Sequence, residues 1–285
     1  MVVRSRKGFT LIELLVALVL LLMVSAAFWS ALATVQRTTR TQTEMAAMRG
    51  TLRGGIQIVS SELQELYANS AGESDIIAMN ATTLRYKAMR GSGVACAATY
   101  TQITIRRDHW AGLQSPGQDL AAGLFIFADG EQDDDGDDAW LEVAITGPVV
   151  PSTCGADPAW AVPVNITDPA EQALLDNVTA ESPVRTYEEM ELGLVTDGGR
   201  SWLGLRSVTQ SEATLLPLAG PLATNGVTFT YHQDDGSPTS TAADVALIKL
   251  LLIGQTDRAV NQGVSSTVQT VDNPMTLQIQ LRNSR

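Results

Sequence analysis

The chain has 285 residues, with 31 acidic against 19 basic side chains and a formal charge of −12. That balance argues against holding a nucleic-acid backbone or an anionic lipid surface by net charge, so no nucleic-acid partner is expected. Two cysteines and two histidines, with no CxxC or Cys/His cluster among them, speak against a structural zinc site.

The first element is a short basic leader, Arg4, Arg6 and Lys7, that ends at Gly8. An apolar run follows from Phe9 to about Leu32, broken only by Glu13 and small hydroxyl residues. About 24 residues at ~1.5 Å each span roughly 36 Å, enough to cross a bilayer. A secretory signal has a shorter core and is cut after it. Here the candidate scissile bond, Gly8–Phe9, precedes the core, and cleavage there leaves the helix on the mature chain. Glycine offers a membrane-surface peptidase an unobstructed backbone. The positive-inside rule puts the leader in the cytoplasm and the bulk of the chain outside it. Without the leader, 16 basic residues stand against 31 acidic ones, a charge of −15. Glu13 is the anomaly, because a lone carboxylate in such a segment costs about 2.5–3.5 kcal/mol. Phe28 and Trp29 suit the outer membrane interface.

The helix is expected to continue to about Tyr67. No proline occurs before Pro116, and Met45, Met48, Leu52, Ile56, Val59, Leu63 and Leu66 recur at spacings of three and four. This stripe predicts a face laid on a sheet. Gly50, Gly54 and Gly55 each weaken a helix by about 1 kcal/mol, so a bend or unwound turn is expected there. Beyond Gly72 the period changes to two. Residues 83–89, 102–106, 124–127, 140–145, 190–195, 202–205, 227–231, 245–253 and 275–281 read as strands. Turns such as Asp197-Gly198-Gly199 and Asp235-Gly236-Ser237-Pro238 separate them. No helical crossover is visible between strands, so the sheet should be mainly antiparallel. Residues 147–183 are proline-rich and weakly patterned. The whole predicts an α+β chain: a leader (1–8), a transmembrane helix (9–32), its amphipathic continuation (33–68) and a β-rich extracytoplasmic head (69–285).

An acidic run links two strands from Asp129 to Asp138. Asp133, Asp135 and Asp137 alternate as calcium ligands do, but counted from Asp133 the glycine, Gly136, falls at the fourth position rather than the sixth. A solvated acidic loop is the simpler reading; calcium is the one cofactor the sequence leaves open. Cys96 and Cys154 could form a disulfide outside the cytoplasm or remain two buried thiols. No phosphate loop, nucleophile elbow, carboxylate pair or histidine triad stands out, so no enzyme activity is expected.

Together the leader and Gly8-Phe9-Thr10-Leu11-Ile12-Glu13 resemble the class III signal of type IV prepilins and type II secretion pseudopilins. A weaker C-terminal likeness covers Asn225–Tyr231, Asp235-Gly236, Ala243–Leu250 and Gln280–Asn283. It is similar to the W-type minor pilins of type IV pili and the J-type minor pseudopilins. The resemblance implies a prepilin peptidase that cuts after Gly8 and methylates the new amine of Phe9. It implies an inner-membrane assembly platform, lipid contact, and packing of the helix against other pilins or pseudopilins. In such a filament Glu13 can face the Phe9 amine of a neighbour, which rewards correct axial register. Many major pilins carry a proline in this helix, and this chain does not. A head that acts as an adhesin or binding module is the further alternative.

Overall fold

The computed structural model describes residues 10–68, 74–112, 122–129, 138–261 and 268–281. One long helix, α1 (Leu11–Leu63), leads into strands that are all paired antiparallel, and a second, short helix lies among them. This is the α+β arrangement the sequence predicts.

The strands are β1 (Ile76–Met79), β2 (Thr83–Thr99), β3 (Gln102–Arg106), β4 (Ala111–Gly112), β5 (Gly123–Ala128), β6 (Ala139–Ala144), β7 (Val150–Cys154) and β8 (Asp157–Pro163). After α2 (Pro169–Leu175) come β9 (Pro183–Asp197), β10 (Arg200–Ser207), β11 (Leu216–His232), β12 (Leu247–Gln255), β13 (Val260–Asn261), β14 (Val268–Gln269) and β15 (Asp272–Gln280). Thirteen of them form one sheet, whose main path runs β15-β12-β11-β10-β9-β2-β3-β8-β7. The weakly patterned stretch 147–183 holds β7, β8 and α2. Two of its prolines sit where they do no harm: Pro169 opens α2 behind the N-cap Asp168, and Pro151 lies on the edge strand β7.

Two cores share this sheet. In the first, the buried stripe Met48, Leu52, Val59 and Leu63 of α1, with Leu66 just beyond its end, packs on Leu84, Leu192, Leu203, Phe229, Leu250, Leu252 and Ile279. In the second, Ile103, Ile105, Leu124, Ile126, Leu141, Val143, Val162 and Leu175 pack together. The long strands β2 and β9 serve both. Leu84 and Leu192 belong to the first core, Ala95 and Val184 to the second. Where the two cores meet, Arg90 of β2 is clasped between carboxylates. Its Nη1 donates to both Glu62 oxygens at 3.0 Å and its Nε to Glu188 Oε2 at 2.9 Å. Glu188 Oε1 also accepts from Gln210 Nε2 at 2.7 Å and from the Ser207 hydroxyl. The clasp ties the end of α1 to β2 and β9 and gives donors to both the buried Glu188 and the half-buried Glu62.

The glycines of α1 correct the sequence reading. The helix runs through them unbroken, and it ends at Leu63 rather than near Tyr67. Gly55 is buried, and a Cβ there would collide with Ala219 Cβ on β11. Opposite, Gly254 of β12 leaves room for Leu52 and Met48. The glycine therefore sets the helix-to-sheet distance, and Gly54 meets nothing within 4 Å. Gly55→Ala should lower stability by about 1–3 kcal/mol through overpacking, despite its better helix propensity. Gly54→Ala should raise it by up to about 1 kcal/mol. Thermal melts of the two variants side by side read this difference, and equal shifts would contradict it.

Cys96 of β2 and Cys154 of β7 are joined in a disulfide, their Cα atoms 6.1 Å apart. Between β2 and β7 lie β3 and β8. Three flat strand spacings measure about 14 Å, so this end of the sheet curls to bring the cysteines together. Cys96 falls at the register shift between Ala95 and Ala97, where the β2–β3 ladder is irregular. The bridge closes a loop of sequence separation 58. Replacing both cysteines by serine should cost about 4 kcal/mol on loop entropy. A melting temperature unchanged by the double substitution, or by reduction, would contradict this.

Candidate assembly site

α1 begins at Leu11 because Thr10 caps it. The Thr10 Oγ1 accepts the Glu13 N–H at 3.3 Å, and Glu13 Oε2 accepts the Thr10 N–H at 3.0 Å. The Thr10 hydroxyl adds a bond to the same Oε2 at 3.1 Å. This is a reciprocal capping box, which satisfies two helix-end donors and sets a negative charge at the positive end of the helix dipole. Glu13 is exposed, and among the described residues its Oε1 accepts no hydrogen bond.

The surface behind that cap is almost wholly apolar. Leu11 is 82% exposed, and Leu14, Leu15, Leu18, Leu21, Leu22 and Val24 are all exposed too. No described strand covers them. Among the described residues α1 is the one helix long and apolar enough to cross a membrane. Exposed greasy area on this scale needs lipid or other helices as its surroundings. Phe28 and the 75%-exposed Trp29 lie at the end of this apolar stretch nearer the head.

Residues 3–29 match the model of the prokaryotic N-terminal methylation motif. The chain carries a prepilin signal. This supports the type IV pilin and pseudopilin family and, with it, processing by prepilin peptidase and assembly with other pilins. The motif and the single apolar helix together fit a membrane-anchored pilin. The match covers the leader and the first part of α1 and leaves the head outside it. Searches of the curated proteins and of the solved structures give no match.

The site residues read from the sequence fare differently. Gly8 and Phe9 lie outside the described residues. Glu13 is described, and its place corrects one premise: the carboxylate already has donors within its own chain. The sequence reading missed the role of Thr10. The signal was present as Thr-x-x-Glu ahead of an apolar run, which is a capping-box pattern. Asp133, Asp135 and Asp137 also lie outside the described residues, and among those described no group of His, Cys, Asp or Glu could hold a metal ion. His109 lies beside Asp108 at 3.0 Å, and His232 Nδ1 lies 3.0 Å from the Gly236 carbonyl.

One further titratable group governs how the helix joins the head. Asp75 is buried where the chain returns from α1 to β1, and its Oδ2 accepts the Tyr67 N–H at 2.8 Å. Its own N–H donates to the Tyr67 carbonyl at 2.8 Å. Burial raises its pKa to about 6, against the lowering effects of the Tyr67 N–H and Lys87. A raised carboxylate pKa stabilises the fold when protonated. The contribution is complete below about 4 and lost as pH rises through about 6. Asp75→Asn keeps an acceptor for Tyr67 and removes the charge. It should be more stable than the parent at pH 7.5 by about 2–3 kcal/mol and show no advantage at pH 4. Melts at both pH values test this, and an advantage of equal size at both would contradict it.

Proposed function

We propose that the chain is a minor subunit of a type IV pilus. It is inserted in the inner membrane with its head extracytoplasmic, cut after Gly8 by prepilin peptidase, methylated on Phe9, and drawn into the filament by α1. The observation that carries this reading is the exposed apolar helix headed by the Thr10–Glu13 cap. Lipid can cover such a surface before assembly, and the helices of neighbouring pilins can cover it afterwards. Glu13 Oε2 stays with Thr10, and Oε1 accepts from the Phe9 amine of the adjacent subunit. That pairing lowers the cost of the charge in an apolar bundle and fixes axial register. The assembly platform in the inner membrane is the remaining partner.

A minor pseudopilin of a type II secretion system is the second reading. The C-terminal pattern Asn225–Tyr231 through Gln280–Asn283 resembles both groups. A head that serves as a filament-displayed adhesin or binding module would add to either. Shearing filaments from cells that express the full chain separates the readings. The pilus reading expects the processed chain in the sheared fraction in small proportion to the major pilin. Processed chain found only with a secretion apparatus, and never in sheared pili, would overturn it in favour of the pseudopilus.

A further inference from the structure

Strand β15 ends the main path of the head's sheet. The ladder between β12 and β15 runs from Gln255↔Asp272 to Leu247↔Gln280 without a register shift. Backbone bonds flank it at both ends in the same phase, Thr256 N to Val271 O at 3.1 Å and Leu281 N to Ala246 O at 3.0 Å. Residues of an antiparallel pair alternate between bonding the partner and facing away. The odd-numbered residues of β15 therefore bond β12. Thr276, Gln278 and Gln280 turn their N–H and C=O groups to the open side, where no other described strand pairs with them.

Edges of this kind are normally blunted by charge, proline, bulges or brevity. The other outer strands follow that rule. β1 has 4 residues and β4 has 2. β7 has 5, contains Pro151 and is tied back through Cys154. β6 has 6 and carries the exposed Glu142. β15 has 9 residues, and from Met275 to Gln280 it reads Met-Thr-Leu-Gln-Ile-Gln with no charge and no proline. Pro274 closes only its first end. On the α1 side Met275 and Leu277 are half-buried against the first core, so an added strand would finish covering them. On the other side Thr276, Gln278 and Gln280 are exposed and polar.

We propose that the open edge of β15 receives one extended strand from a different subunit of the same filament. The strand would alternate apolar side chains toward α1 with polar ones toward solvent, its main chain bonding Thr276, Gln278 and Gln280. The partner follows from continuity: α1, which packs under β15, is the element that would bring a neighbour's head alongside. This rests on the filament reading above.

The experiment is amide hydrogen exchange on the full chain, first alone in detergent and then in filaments assembled with the other pilin-like subunits. Exchange at Thr276, Gln278 and Gln280 should slow by about tenfold or more on assembly. Gln278→Pro removes one outward donor and no bond to β12; Gln278→Lys places a charge on the edge and keeps every backbone group. Both should melt as the parent does and enter filaments about tenfold less. Four outcomes overturn the proposal. Incorporation with these amides as fast as in the lone chain, or with both variants entering normally, sinks it and leaves the filament reading standing. Protection already present in the purified chain and tracking its dimerisation assigns the edge to a second copy instead. Failure of the parent chain to enter any filament sinks both readings together.

Discussion

Gly8→Val leaves the chain at precursor length. A β-branched side chain beside the scissile bond holds the backbone away from the peptidase. A misplacement on the order of 1 Å is enough to cut turnover by about 10²-fold. The uncut chain keeps Arg4, Arg6 and Lys7 and presents no free amine at Phe9. It should therefore stay in the membrane with its head folded, since the described members of both cores begin only at Met48. Immunoblots of membranes with and without active peptidase read the result. Mature-length chain in normal amounts from the variant would show that Gly8 does not define the cut.

The second large effect is at Glu13, where two substitutions separate two roles. Glu13→Ala removes both the cap and the charge. Glu13→Gln keeps a side chain that can complete the capping box, because glutamine at the third helical position accepts from the N-cap residue as glutamate does. It loses the charge that would face a neighbour's amine. A cap alone is worth about 1 kcal/mol. Removing one partner of a buried ion pair costs about 3–5 kcal/mol, or roughly 10²-fold or more in an assembly equilibrium. Both variants should therefore be processed normally and both should fail to enter filaments. Filament entry restored by glutamine would mean that the carboxylate serves its own helix and no neighbour.

How much of this was legible beforehand differs from one element to the next. The stripe Met48-Leu52-Val59-Leu63 announced its buried face because a helix on a sheet repeats its contacts every three or four residues, and the structure buries those four. The alternating strands were visible for the same reason. Gly55 was misread because its conformational cost is written in the sequence, whereas its use depends on Ala219, which lies far along the chain. β7 and β8 escaped notice because edge and hairpin positions accept prolines that would exclude an interior strand. Asp75 and the Glu62–Arg90–Glu188 clasp could not be foreseen, since each charge looks ordinary until the fold buries it beside its partner. At the N-terminus the prepilin resemblance was plain in six consecutive residues. The capping box that gives Glu13 a partner in its own chain was written there too, and was overlooked in favour of the membrane argument.

Whether this helix is made to be cut and assembled turns on the chemistry of a single bond. The most direct measurement is mass spectrometry of the N-terminal peptide of the full chain recovered from membranes that contain prepilin peptidase. The expected peptide begins at Phe9, lacks residues 1–8 and carries one methyl group on its amine. A chain that retains Met1–Gly8 there, or begins at any residue beyond Phe9, would contradict the account.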